Sequence, residues 1–307
     1  MNRIIITSCF AILLCLCFGP VVQAQTCENN YIGPSGGIWQ LDTNWDLSHD
    51  PMSSEVACIP AGVTVVVDQQ SSPTDVQAEA IVIYASAGSR LGKVTMESET
   101  TLTLYSNSTI DGTLEMNERC ELRIAANLTI TGDGGDILGL PPGSGPVAII
   151  VAASGSPNAV LTLAGSNNSS RSTSLTTHGQ LDLRVRVANT AYVVADDATL
   201  LLSTNTKSGS GFWIAETPGG NDAGLLDVSV EVQGPGKWVL ESNSSAKIQI
   251  HADCPSLSGD LELSNGSFEV DGAEFTTTGN IRFKSVGSTP TQPRMNLKNG
   301  GVAHFGS

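Results

Sequence analysis

The sequence predicts an all-β fold, a right-handed parallel β-helix with about 20 residues per rung behind an amino-terminal cap. Three observations predict it. Between Thr101 and Gly132 the chain nearly copies itself at twenty-residue spacing: Leu102 and Leu104 recur as Leu122 and Ile124, Asn107 as Asn127, Thr109 and Ile110 as Thr129 and Ile130, and Gly112 as Gly132. The same interval returns downstream, where Gly259, Leu261 and Leu263 map onto Gly279, Ile281 and Phe283, and Ile248 and Ile250 onto Phe268 and Val270. The third is texture: short apolar-polar-apolar pieces alternate with Gly, Asn, Ser and Asp turns, and only 15% of residues are charged. Strands this short cannot build a sandwich at that period, whereas stacked in register they bury Leu, Ile and Val as ladders between turns.

Residues 1–24 read as a secretory signal. Asn2 and Arg3 give a short positive start, Ile4 to Phe18 an apolar run, and Val22-Gln23-Ala24 a small-residue cleavage site. Gly19 and Pro20 end that run at signal length, short of the roughly 20 residues of a membrane span. The mature chain is expected to start near Gln25 and to be secreted or displayed at the cell surface, with no further membrane span. No lipobox precedes Cys27.

Residues 25–68 are expected to form the cap, with Trp39 and Trp45 covering the apolar end of the first rung. Stacking of the same two rings on a sugar is the alternative. Four cysteines follow the signal: Cys27, Cys58, Cys120 and Cys254. Cys27 and Cys58, close in sequence and outside the repeat, can form a disulfide in an oxidising compartment. Cys120 and Cys254 stand six to seven rungs apart, roughly 30 Å at the spacing of neighbouring strands, so they are expected to be separate buried thiols.

Residues 69–307 carry the repeat, with the pieces at 76–83, 93–96, 101–104, 113–116, 121–124 and 128–130 read as strands. The ladder is expected to continue through Leu161 and Leu163, Leu181 and Leu183, Leu200 and Leu202. Two stretches interrupt it and are expected to bulge as loops, Asp133 to Pro146 and Lys207 to Gly224. The second holds Phe212 and Trp213, the aromatic candidates for a ligand surface. Gly301 to Ser307 weakly echoes Gly279 to Ser285 without a polar cap, so the solenoid is expected either to continue in a longer protein or to be covered by a partner, and its uncapped rung invites end-to-end association.

The run Gly37-Ile38-Trp39, Asn44-Trp45, Pro51 and Ile59-Pro60-Ala61-Gly62 resembles the opening module of many secreted β-helical proteins. It is similar to the extracellular domain family named for its eight glycines, over about forty residues. The chain as a whole resembles the passenger regions of autotransporter-type adhesins, which implies a structural or adhesive role without catalysis.

Parallel β-helices also carry pectate lyases and polygalacturonases, whose paired carboxylates do acid and base work. Here Asp196-Asp197 follows His178-Gly179 instead of preceding it, Asn189-Thr190 lacks its Asp, and Arg282-Phe283-Lys284 is a loose likeness. Polysaccharide binding or degradation is therefore the alternative function. Asp133 and Asp136, set among glycines, could offer carboxylates to calcium, although the motif occurs once. The sequons at Asn107, Asn127, Asn167, Asn168, Asn243 and Asn265 include two at equivalent repeat positions, read as an asparagine ladder at a corner. Without the signal, 14 Lys and Arg face 30 Asp and Glu, a net charge of −16 that repels nucleic acid. A polysaccharide or a surface protein is the expected partner.

Overall fold

A computed structural model describes residues 25–86, 90–139, 147–165, 175–177, 179–196, 198–217, 224–242, 246–284 and 293–305. The proposed signal, the sequons at Asn167, Asn168 and Asn243, and His178 and Asp197 lie outside the described residues. Among those described, the fold is all-β and its sheets are parallel. The antiparallel exceptions are the two-residue hairpin Ala85–Ser86 with Arg90–Leu91 and a single bridge from Tyr31 to Trp45.

The chain visits three surfaces in a fixed order. From Ala80–Ile83 in a nine-stranded sheet it passes to Lys93–Met96 in a five-stranded sheet and to Thr101–Leu104 in a ten-stranded sheet. The circuit then repeats with Ser108–Ile110, Thr113–Met116 and Glu121–Ile124. Past Gly139 the five-stranded surface is taken up by a six-stranded sheet beginning at Leu175–Thr177, and past Gln233 the nine-stranded surface by a three-stranded sheet beginning at Cys254–Leu257. Short apolar alternation produces this arrangement because each four-residue strand presents two side chains inward and finds its hydrogen bonds on the turns above and below.

One ladder in the ten-stranded sheet runs the whole way: Val76, Leu102, Leu122, Ile150, Leu183 and Leu202 are partners in succession. Val228, Ile250, Val270 and Leu297 extend it. All but Leu297 are buried.

The repeat length is less regular than the sequence suggests. Thr101 pairs with Glu121, twenty residues on, but Glu121 pairs with Ile149 and Ala148 with Leu181. In the nine-stranded sheet Thr109 pairs with Thr131 instead of Thr129; in the five-stranded sheet Asp136, beside Gly135, pairs with Thr113, so Gly135 and not Gly132 answers Gly112. Corners absorb the extra residues while the strands keep register. For the same reason Leu161 and Leu163 stand in the nine-stranded sheet beside Leu128 and Ile130, whereas Leu181, Leu183, Leu200 and Leu202 share the ten-stranded one.

Both expected loops contain strand. Asp136–Gly139 closes the five-stranded sheet, and Lys207–Gly209 and Phe212–Thr217 pair in register on both sides. Residues 140–146 and 218–223 lie outside the described residues.

Candidate functional site

The amino-terminal aromatics are buried in the main apolar cluster. Asn29–Asn30 and Gly37–Ile38 are the first strands of two sheets, and the short 3-10 turn Asp42–Asn44 carries the chain back across the opening. Trp39 is 0% and Trp45 1% exposed, their rings 4.9 Å apart edge to face. Tyr31 packs on Trp45 from the other side at 5.3 Å. The Trp45 indole N–H donates to the Trp39 carbonyl at 2.7 Å, and the Tyr31 hydroxyl to Pro34 at 2.9 Å. Sugar stacking needs an open ring face, and neither tryptophan presents one in this structure. Cys27 and Cys58 form a disulfide with Cα atoms 5.8 Å apart, drawing the start of the chain over Val56, Ala80 and Val82 on the outside of the nine-stranded sheet.

Phe212 and Trp213 point to opposite sides, as neighbours in a strand must. Trp213 is buried and stacks inside on its partner Trp238 at 6.3 Å. Phe212, half-buried outside, lies parallel to Tyr192 at 4.7 Å, with the Lys237 ammonium 5.8 Å from its ring centre. Of the four aromatic candidates only Phe212 reaches the surface, and its ring face is already occupied.

Asp133 and Asp136 stand at the corner that leads into the last strand of the five-stranded sheet. The Asp133 amide donates to the Asp111 carboxylate at 2.9 Å, and Asp136 opens a strand whose amide donates to Gly112 at 2.9 Å. Among the described residues no three His, Cys, Asp or Glu side chains converge as metal ligands. The asparagine corner does bond along the stack, but through the backbone: Asn107 Oδ1 accepts from the Thr129 amide at 2.7 Å and Asn127 Oδ1 from Val160 at 2.9 Å. Cys120 is a buried thiol 2.8 Å from the Glu97 carbonyl, and burial pushes its pKa up.

Two further features carry charge outside the residues singled out by sequence. On the outside of the ten-stranded sheet Arg123 reaches Glu121 at 2.8 Å and Asp75 at 3.5 Å, and all three remain partly open to solvent. Tyr105 stands beside them, 40% exposed, its hydroxyl 3.4 Å from Gln77. The repeat alignment of Thr101 with Glu121 and Thr103 with Arg123 is the signal that could have found this patch.

The other feature is internal. Lys207 pairs with Val187 and Val232, an apolar ladder position, and is wholly buried. Its ammonium donates to the carbonyls of Thr204 at 2.7 Å, Asn205 at 2.8 Å and Ser203 at 3.3 Å. Burial pushes its pKa down to about 7, opposed by the nearby Asp182. Because the unfolded chain holds that proton to about pH 10.4, stability is expected to rise between about pH 7 and pH 10, at up to about 1.4 kcal/mol per pH unit. Denaturant unfolding at pH 7 and pH 9.5 measures it. Lys207→Met is less stable overall, since three carbonyls lose their donor, but should lose the slope. A wild-type slope that survives the substitution refutes the assignment.

Further carboxylates are consumed by ladders of charge. Burial pushes the Glu262 carboxyl up, but the Lys237 and Lys284 ammoniums on either side more than reverse it. Glu269 is held low in the same way between Lys247, at 2.5 Å, and Lys298, at 3.0 Å.

No protein-family model, curated protein or solved structure matches the chain.

Proposed function

We propose that the chain is a secreted or cell-surface structural or adhesive solenoid without catalytic activity, its three surfaces closing into a right-handed parallel β-helix. The fixed order in which the chain visits the surfaces supports the closure, and the near-universal handedness of parallel crossovers supports the hand. One observation carries the function: outward carboxylates are spent on neighbouring turns, as in Lys237, Glu262, Lys284 and Lys247, Glu269, Lys298. Side chains that brace a stack in this way are not poised as acid and base. The proposed partner is a polysaccharide or a surface protein, reached by an acidic chain that carries its own export signal.

A second reading, polysaccharide binding or cleavage, draws on the patch of Asp75, Glu121, Arg123 and Tyr105. An exposed phenol beside an arginine and two carboxylates can stack on a pyranose ring and hydrogen-bond its hydroxyls. The purified chain should be screened on polysaccharides with and without calcium, reading retention and newly formed reducing or unsaturated ends. Retention or silence without turnover is expected. Chelator-sensitive product would overturn the structural reading, and loss of retention in both Tyr105→Ala and Arg123→Ala would place binding on that patch.

A further inference from the structure

The last described turn leaves the interior open. Leu297, final member of a ladder buried from Val76 to Val270, is 55% exposed, and Phe283, which follows Leu240 and Leu263, is 61% exposed. Phe305 and Val302 are open as well, at 50% and 44%. Among the described residues Ile281–Lys284, Arg294–Lys298 and Val302–Phe305 are the outermost strands of three sheets, the edge position at which a further strand can add.

The charge at this end is one-sided. Residues 281–307 contain Arg282, Lys284, Arg294 and Lys298 and no Asp or Glu. The columns Lys237, Glu262, Lys284 and Lys247, Glu269, Lys298 stop on a lysine, so the next layer in the alternation would be acidic. The opposite end is the counterpart: residues 25–68 contain six Asp and Glu and no Lys or Arg. There Leu41, Leu47 and Met52 are each nearly half exposed, next to Asp42 and Asp46, which are solvent-exposed while accepting local hydrogen bonds from Asp50 and Asn30.

We propose that the open turn docks the amino-terminal cap of a second copy of this chain, giving a head-to-tail assembly. Phe283, Leu297 and Phe305 meet Leu41, Leu47 and Met52, while the terminal lysines and arginines face Asp42 and Asp46. Such a heterologous contact uses two different patches and leaves each added copy with one free end, so it propagates as a filament instead of closing as a twofold dimer. The Trp39 and Trp45 plug makes the contact one of surfaces, since the cap keeps its own interior covered and offers edge strands of two residues only. The inference needs the stacked parallel sheets and is independent of the adhesive role.

Two doubly substituted chains test it. Phe283→Glu with Leu297→Glu blocks the open turn, and Leu41→Lys with Leu47→Lys blocks the cap; all four positions are exposed, and circular-dichroism melting verifies that each variant folds. Sedimentation velocity at low salt should show multiples of the monomer mass for the parent and monomer alone for either variant. Mixed one to one, the variants should form a dimer and nothing larger, because one intact turn meets one intact cap. A parent that stays monomeric, as it would if a further segment of a longer protein belongs on that turn, overturns the proposal. So does a cap variant that still self-associates, the sign of a tail-to-tail contact, or a mixture that stays monomeric. Association should weaken as salt screens the paired charges.

Discussion

Replacing Trp45 with alanine is expected to lower stability by about 4 kcal/mol. The ring is 1% exposed between Tyr31 and Trp39, and its N–H supplies the hydrogen bond to the Trp39 carbonyl. Truncation leaves a cavity against the first ladder and an unmet carbonyl, and admits water to the end of the core, so three costs act together. Trp45→Phe keeps most of the volume and should lose about half as much. Urea unfolding followed by tryptophan fluorescence reads the loss, and increased binding of a hydrophobic dye to the native state would report the opened end. A Trp45→Ala loss below about 1 kcal/mol would show that the plug does not seal the core.

Gly135→Ala should cost about 3 kcal/mol, by forcing backbone apart instead of emptying a cavity. A Cβ there would lie 1.8 Å from the Ile110 carbonyl oxygen and 2.9 Å from that of Gly112. Neither obstacle can swing away, because the Gly112 carbonyl already accepts from the Asp136 amide of the turn above. Gly134, one residue earlier, has nothing within 4 Å of its Cβ position but a φ of +90°, so alanine there should cost only the left-handed penalty of about 1–2 kcal/mol. Thermal melting of the two variants separates the mechanisms: equal losses would mean that backbone conformation, not the close approach of turns, explains the glycines. The contrast also bears on calcium, since close packing accounts for Gly135 beside Asp136 with no ion.

The inward positions of the ten-stranded sheet were legible because Leu102, Leu122, Ile248 and Phe268 stand among polar neighbours, which fixes the alternation. At Phe212-Trp213-Ile214-Ala215 the pattern fails, because the outer surface is apolar too: Val194, Ile214 and Val239 form their own buried cluster under Tyr192 and Phe212. Nothing in a run apolar on both sides says which aromatic faces in. Corner lengths were equally opaque, since the local repeat of twenty between Thr101 and Glu121 carries no information about the longer excursion before Ile149. Lysine is the last residue expected on a ladder, and three carbonyls from its own preceding turn, with Asp182 nearby, make the Lys207 position tenable.

The constancy of the Val76-to-Leu297 ladder beside such unequal corners separates two kinds of position in the chain. A residue gained or lost within a strand would reverse every later side chain on that strand. Residues added at a corner cost little more than the slow growth of loop entropy with length. The corners are therefore where this chain can diversify, or accept a grafted peptide, in arrays spaced by the distance between neighbouring turns, about 4.8 Å. An outward display of that kind would change what the protein presents while leaving its spine untouched.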